Sequence, residues 1–375
     1  MSKKMIDLAQ FTCLFGQSEL DEQFVHSYFE YCREKIIDAL IRDGKATELA
    51  NTLTTRINRC QPWKAELGNA MELFTKGNIG PSAAQLILAS DVIPLELAAS
   101  CPNEVKLLVN GWMVPISRAV QIRKSTSEIE VASESGQYSI ARQHEVICSY
   151  PQRKQADESK SPKVVRFIDM SKGRGEVFPS VATDIDTVDS IGDSGIPAHV
   201  QKKELAEAIN LLPNLSEFVL RSAAFIIAVP LKDGICPVEK NWPGVVLIES
   251  GLDAVSTLEE LIEEICRQQM IKILYCDAVV NGPKEEVHYM PLRRLYLTTR
   301  RIFSELLQHM HVLHVLERLS EANWHQKETR VRAKEISLIL RTEVFPAIAK
   351  SRSLTHAART LAVRLNDSFS AASLL

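Results

Sequence analysis

Apolar residues in the first quarter of the chain recur at the spacing of an amphipathic helix. The residues that carry this period in the first predicted helix are Phe24, Tyr28, Tyr31, Cys32, Ile36, Leu40 and Ile41. Further helices are predicted near 64–74 and 82–88, and the sequence G-N-I-G-P separates them. The aromatic stripe could form a peptide-binding face, but a packed core is the more common role of such a stripe. We expect residues 1–90 to be helical.

From about 104 to 150 the apolar period changes to two, which is the period of a strand. Short antiparallel strands are predicted over 105–109, 128–131 and 138–142, and the sequence E-S-G at 134–136 predicts the turn between the last two. A small meander often has a free edge, to which an extended peptide could add as a strand. A structural sheet that covers the helices is the alternative.

The second half of the chain is mostly helical in pattern. Helices are predicted near 202–212, 215–224, 256–274, 293–319, 324–345 and 353–366, and a strand over 245–248 interrupts them. The chain is therefore predicted to be α+β and predominantly helical, with a small antiparallel sheet in its N-terminal half. The predicted domains are a helical region with a meander over 1–150, a polar linker or loop over 151–200 and a helical domain over 201–375.

Composition narrows the functional classes. Apolar residues make up 45% of the 375 residues and charged residues 24%, as in an ordinary globular protein. A net charge of −3 is too small to predict binding to nucleic acid or to a membrane surface. The first residues lack the apolar core of a signal peptide, and no run is long enough to span a bilayer. We expect a cytoplasmic protein, and the oligomeric state stays open.

The eight cysteines are scattered, and none falls in a C-x-x-C pair. In a reducing compartment they are most simply buried thiols, and their spacing argues against a structural zinc site. Cys266 is the one cysteine that we consider as a nucleophile, because it lies in the helix with the candidate motif. A small residue on the buried side of that helix is the alternative.

The segment 258–269, L-E-E-L-I-E-E-I-C-R-Q-Q, predicts an amphipathic helix. Its expected buried stripe consists of Leu258, Leu261, Ile262 and Ile265. Beside that stripe, Glu263 and Arg267 have the spacing of the two histidines in a metal-binding H-E-x-x-H helix. A protonated guanidinium has no lone pair for a metal. The two side chains can instead form an i,i+4 ion pair, on the order of 0.2–0.5 kcal/mol at a surface.

A second candidate region is the long predicted helix near 293–319. His309, His311 and His314 cluster on it, and His311 and His314 share a face. With a third ligand from elsewhere they could reach one metal, although packing or solvent exposure is the more common role of such a pair.

The order of these segments resembles a known family. An apolar run at 223–231 and the sequence W-P-G-V-V-L-I-E-S at 242–250 precede the 258–269 helix, and M-P-L-R at 290–293 precedes the long helix with Q-H-M-H at 308–311. This order is similar to that of the HExxH-type peptide β-hydroxylases, putative 2-oxoglutarate-dependent peptide-modification enzymes of bacterial natural-product clusters. The resemblance covers roughly 205–319. It implies a gluzincin-like helical C-terminal domain.

In that family the first helix has the form L-x-E-x-L-V-H-E-x-x-H-Q. Glu263 and Arg267 stand in place of its two histidines, whereas Glu264 and Gln268 keep its glutamate and glutamine. The later family helix has the form R-P-L-x-x-x-L-H-G-V-H. Here Gln308 stands in place of its first histidine and His311 keeps the second. The family's iron and 2-oxoglutarate chemistry is therefore not expected, and we predict no bound metal and no cofactor.

The resemblance also suggests roles for basic residues at the start of the long helix. The arginines concerned are Arg293, Arg294, Arg300 and Arg301. In the family, arginines of this region could hold the carboxylates of a cosubstrate or an acidic peptide, because a guanidinium makes bidentate pairs with a carboxylate. Arg293 and Arg301 are the predicted substrate-binding residues. A solvated, charge-paired helix end is the alternative.

Three functions follow as hypotheses. The first is a divergent, metal-free relative of the peptide hydroxylases, a pseudoenzyme that binds a precursor peptide or a partner modification enzyme. The second is an active peptide-modifying enzyme with altered chemistry, in which Glu264 acts with His311 or Cys266 as proton donor, acceptor or nucleophile. The third is a regulatory or assembly protein unrelated to peptides.

Overall fold

The computed structural model has a mixed α+β fold that is predominantly helical, as predicted. The structure describes residues 18–44, 47–57, 65–90, 95–109, 112–125, 128–141, 146–149, 164–169, 198–223, 225–229, 244–276, 279–281 and 286–372. The chain divides into two compact units. The N-terminal unit comprises Glu22–Lys202 and Leu220–Leu252. The C-terminal unit comprises Met1–Asp21, Lys203–Val219 and Asp253–Leu375. The predicted domains 1–150, 151–200 and 201–375 stay a prediction.

The helices predicted over residues 1–90 are confirmed. They are α1 (Ser18–Asp43), α2 (Thr47–Thr55), α3 (Ala65–Thr75) and α4 (Ile79–Ala89). The buried face of α1 is formed by Phe29, Cys32, Ile36 and Leu40, which recur three and four positions apart. The predicted stripe was partly wrong, because Tyr31 lies beside this face and is 49% exposed and Ile41 is 66% exposed. The side chain of Phe24 lies outside the described residues.

The first sheet has four antiparallel strands in the order β1-β2-β3-β4. They are β1 (Leu95–Val109), β2 (Trp112–Lys124), β3 (Glu128–Ser133) and β4 (Gly136–Ala141). The predicted turn between β3 and β4 is confirmed, and Gly136 there has a φ of +147°, which favours glycine. Strand β2 was not predicted, because Pro115 within it argues against a strand and Arg118 interrupts its alternation of apolar residues.

The second sheet of the N-terminal unit has the order β5-β6-β7-β8. Its strands are β5 (Val146–Ser149), β6 (Val164–Asp169), β7 (Phe225–Val229) and β8 (Val245–Glu249). Strand β6 pairs with β5 antiparallel and with β7 parallel, and β7 pairs with β8 parallel. The predicted strand over 245–248 is confirmed. Strand β6 lies within the predicted linker, of which 151–163 and 170–197 lie outside the described residues.

The C-terminal unit is mostly helical. Its elements, some of which begin or end in the other unit, are α5 (Ala198–Leu211), α6 (Pro213–Ser222), α7 (Ala254–Cys276), β9 (Val287–Met290), β10 (Leu295–Thr298), α8 (Thr299–Glu321), α9 (Gln326–Ile339), a π-helical turn (Leu340–Val344), α10 (Phe345–Lys350) and α11 (His356–Ala372). Strands β9 and β10 form an antiparallel hairpin. Among the described helices, none is both long enough and apolar enough to cross a membrane.

The long helix predicted from 293 begins only at Thr299. Thr298 caps it, since the Thr298 side chain accepts a hydrogen bond from the Arg301 backbone N–H. The preceding residues alternate between the two faces of a hairpin, which is a strand pattern. The prediction that Arg293 and Arg294 lie on this helix is therefore wrong: both lie in the turn between β9 and β10, and Arg294 has a φ of +54°.

Candidate functional site

Helix α7 carries the altered motif, and its sequence accounts for its start and its buried face. The Asp253 carboxylate accepts hydrogen bonds from the Ser256 backbone N–H at 2.9 Å and from the Ser256 hydroxyl at 2.7 Å, which caps the first turn. Partial burial opposes ionisation of Asp253, but the bonds from Ser256 outweigh it and lower its pKa. The predicted stripe is confirmed, since all four of its residues are fully buried: Leu258, Leu261, Ile262 and Ile265.

The two segments that carry the family resemblance contact each other. The Gln308 side-chain amide of α8 donates to the backbone carbonyl of Glu263 in α7 at 3.5 Å. The Cys266 thiol lies 3.9 Å from the backbone carbonyl of Leu307. These contacts join positions more than forty residues apart in the chain. Helices α7 and α8 therefore form one packed pair. Gln268 of α7 is buried.

Arg267 pairs with a different carboxylate from the predicted one. Its guanidinium lies 2.5 Å from the Glu264 carboxylate, which is three positions earlier in α7. Residues three and four apart on a helix are both neighbours, so the sequence alone could not choose between Glu264 and Glu263. The predicted pair of Glu263 and Arg267 is corrected accordingly.

The two glutamates of the motif are shifted towards the protonated form. Burial and the negative charge of Glu259 raise the pKa of Glu263 to about 7, and Arg267 only partly offsets them. Burial likewise raises the pKa of Glu264 to about 7, against the lowering effect of Arg267. A carboxyl group with such a pKa can both accept and donate a proton near neutral pH. Proton transfer by these two carboxyl groups is the chemistry that α7 offers.

His311 is held as a packed, neutral side chain. Its Nδ1 lies 2.7 Å from the backbone carbonyl of Leu307 and therefore donates to it. Its ring stacks on that of Phe218 in α6, with centroids 5.4 Å apart and 13° between the planes. Burial lowers the pKa of His311 to about 4. The predicted partners Glu264 and His311 thus have separate interactions. Glu264 pairs with Arg267, whereas His311 contacts Leu307 and Phe218.

Cys266 and the other histidines fit packing roles. Burial raises the pKa of the Cys266 thiol well above its usual value, whereas a nucleophile needs the thiolate. His309 Nδ1 contacts the Glu305 carbonyl at 2.8 Å, and burial lowers the pKa of both His309 and His314. Cys266 therefore matches a buried residue of the helix better than a nucleophile.

The residues at the family's ligand positions do not fit an iron ion. Glu263 offers one carboxylate, but Arg267 offers a guanidinium without a lone pair and Gln308 an amide. In the part of the chain that the structure describes, no three side chains of His, Cys, Asp or Glu come together to hold a metal. The chemistry of this donor set gives no basis for a reaction step through iron.

Arg293 lies in a buried network of charges. Its Nε donates to Glu343 at 2.7 Å and its Nη1 to Glu305 at 2.8 Å. The Glu343 side chain is completely buried and the Glu305 side chain is 7% exposed. Arg301 also pairs with Glu305, at 3.5 Å, but is 55% exposed. The structure thus gives Arg293 two internal carboxylates. The substrate-binding roles of Arg293 and Arg301 stay a prediction.

Glu343 and Glu305 were missed by sequence reasoning. Both lie in predicted helices, where a glutamate is ordinarily a solvated residue. Nothing in their spacing indicates that they meet Arg293, which is 50 positions before Glu343. Glu343 lies in a π-helical turn at Leu340–Val344, a feature often found at functional sites, but this turn is visible only in the structure.

Comparison with known proteins adds no family assignment. No protein-family model matches the chain, and no curated protein matches it significantly.

Proposed function

We propose that this protein is a divergent, metal-independent relative of the HExxH-type peptide β-hydroxylases that binds a ribosomally made precursor peptide or a partner modification enzyme. In this proposal the protein binds rather than hydroxylates, and the α7–α8 helix pair is the scaffold that it shares with the family. The proposal includes a cytoplasmic location, with which the free, buried thiols Cys32, Cys101 and Cys266 are compatible.

The contact between Gln308 and Glu263 carries the proposal. The resemblance rests on two segments that are far apart in the sequence. It would have no structural support if these segments also lay apart in the fold. Their packing against each other supports a common scaffold. The residues at the ligand positions instead make a hydrogen bond between the helices and a partly buried ion pair within α7.

The raised pKa of Glu264 favours one alternative, an active enzyme with altered chemistry. A carboxyl group with a pKa of about 7 is suited to general acid–base catalysis near neutral pH. His311 does not strengthen this alternative, because its ring is buried against Phe218 and burial lowers its pKa to about 4.

The test uses the full chain and the synthetic precursor peptide encoded beside its gene. We expect saturable binding by calorimetry that is equal with and without ferrous ion and 2-oxoglutarate, and an unchanged peptide mass after incubation. Glu264→Gln should bind the peptide like wild type. Absence of a complex contradicts the proposal. Stoichiometric iron, or a peptide mass shift that Glu264→Gln abolishes, would replace it with the enzymatic alternative.

A further inference from the structure

The hairpin of β9 and β10 has an outer face with unusual composition. Its inward positions are His288, Met290, Leu295 and Leu297, which are buried or half-buried. Its outward positions are Val287, Tyr289, Tyr296 and Thr298, which are all exposed, and we call them the hairpin's outer face. Tyr289 is 52% exposed and Tyr296 71%. A solvated strand face ordinarily carries polar residues, so this apolar surface is a candidate for contact with a partner.

The two tyrosines form one platform. Tyr289 and Tyr296 are directly opposite each other in the antiparallel register, and their ring centroids lie 5.1 Å apart at an angle of 46°. Exposed tyrosines supply a large, rigid contact area at low cost in side-chain entropy. A bound aromatic or aliphatic side chain would therefore find a preformed surface.

Two carboxylates, one of them buried, fix the hairpin at both ends. At the start of β9, Glu286 accepts hydrogen bonds from the Ser351 hydroxyl and the Arg352 backbone N–H, each at 2.8 Å. At the turn, Glu343 accepts from the backbone N–H of Leu292 at 2.6 Å and of Arg293 at 3.2 Å. These bonds tie the hairpin to the α10–α11 connection and to the π-helical turn. A surface held in this way loses little freedom on binding.

The exposed charge in the hairpin turn is positive. Glu286 bonds to the α10–α11 connection and Arg293 to Glu343 and Glu305. Arg294, the other charged residue of the turn, is exposed. Arg300 and Arg301 at the start of α8 are exposed as well, and Arg301 pairs with Glu305. A partner of complementary charge to Arg294 is therefore acidic.

We propose that the hairpin's outer face binds an extended peptide segment in which an apolar or aromatic residue and an acidic residue stand two positions apart. The apolar side chain packs on Tyr289 and Tyr296, and the carboxylate pairs with Arg294. In an extended peptide, residues two positions apart lie on the same side, so both side chains face the hairpin. The inference rests on the proposed function and specifies where and by which chemistry the peptide binds.

The test is fluorescence anisotropy of the full-length protein with two fluorescein-labelled synthetic peptides. In one, phenylalanine or leucine stands two positions from a glutamate, and the other has lysine in place of every glutamate. The double variant Tyr289→Ala and Tyr296→Ala removes the platform. Tyr31→Ala on α1 is the matched control, since Tyr31 is also about half exposed but lies in the N-terminal unit. Arg294→Gly removes one charge without backbone strain, because Arg294 already has a positive φ.

We expect the glutamate peptide to bind wild type and Tyr31→Ala equally. The double tyrosine variant should bind it about tenfold or more weakly, and Arg294→Gly should weaken binding in a salt-dependent way. Circular dichroism checks that the variants are folded, and Arg294→Gly gives an independent result if the tyrosine variant unfolds. Equal binding of the lysine peptide, failure of the glutamate peptide to bind, or wild-type affinity in both variants overturns the inference.

The synthetic precursor peptide separates this inference from the proposed function. If it binds wild type and the tyrosine variant equally, the inference fails and the proposed function stands. If it does not bind wild type at all, the proposed function fails as well.

Discussion

At the scale of single residues, Glu343 shows how much depends on one buried charge. Its carboxylate is completely buried and satisfies Arg293 and two backbone N–H groups of the hairpin turn. Its removal leaves Arg293 with Glu305 alone and takes the acceptor from the backbone N–H groups of Leu292 and Arg293. We expect Glu343→Ala to lower the free energy of unfolding by about 3 kcal/mol, measured by urea denaturation.

The matched control for this change is Glu335→Ala. Glu335 also pairs with an arginine, Arg332, but its side chain is 55% exposed, and exposed pairs contribute little. This variant should lose less than about 1 kcal/mol. A loss in Glu343→Ala no larger than in the control would contradict the structural role of the buried network.

Glu264 makes stability depend on pH. Burial raises its pKa in the folded protein to about 7 from a usual value of 4.5, so between these values the folded protein holds a proton that the unfolded chain releases. The free energy of unfolding therefore falls as pH rises through this window, by at most roughly 3 kcal/mol for this group. We expect Glu264→Gln to reduce that fall, measured by urea denaturation from pH 4.5 to 8.

Glu134→Gln, at a side chain that is 55% exposed, serves as the control for the substitution itself. Glu263 has a raised pKa as well, so part of the fall should persist in Glu264→Gln. An unchanged profile in Glu264→Gln would show that this carboxyl group is not shifted.

At the scale of elements, the N-terminal cap of α7 joins residues that are neighbours in the chain, so its loss should have the effect of losing a single cap. Asp253 supplies the acceptor for the third residue of the helix, and loss of such a cap costs about 1 kcal/mol. We expect this destabilisation in Asp253→Ala by thermal unfolding, and near wild-type stability in Asp253→Asn, which keeps an acceptor. Equal stability of wild type and Asp253→Ala would mean that the cap contributes nothing.

The elements also show where sequence patterns are sufficient. The apolar spacing of α7 identified its buried stripe correctly, because helix period and burial coincide in a helix with one packed face. The start of α8 was misplaced by six residues, since L-Y-L-T forms a strand only when it pairs with V-H-Y-M across the turn. Pairing partners decide a short strand, and a local pattern does not contain them.

At the scale of the whole molecule, the chain passes repeatedly between two compact units. The N-terminal unit has its own core, to which α1–α4 and β1–β3 contribute buried residues. Phe29 in that core is fully buried, and a Phe→Ala change in a core costs about 3–5 kcal/mol. We expect Phe29→Ala to accelerate hydrogen exchange in α1–α4 and the first sheet but to leave α7 and α8 unchanged, measured by mass spectrometry.

Tyr31→Ala on the same helix is the control and should leave exchange unchanged, since the Tyr31 side chain is half exposed. Equal acceleration in α7 and α8 of the Phe29→Ala variant would indicate that the two units unfold as one.

The sequence by itself determined the class of the fold, most of the helices, the turn between β3 and β4, and the buried stripe of α7. It also determined that Arg267 cannot ligate a metal, because that is a property of the guanidinium and not of its surroundings. These features depend on local period or on side-chain chemistry, and both can be read along the chain.

Only the tertiary structure decided which groups meet. It paired Arg293 with Glu343 and Glu305, and it exposed Tyr289 and Tyr296 on one face. The physical reason is that ion pairing, pKa and exposure depend on distances between residues far apart in the chain. Those distances are fixed when the helices and the hairpin pack, and no spacing in the sequence records them.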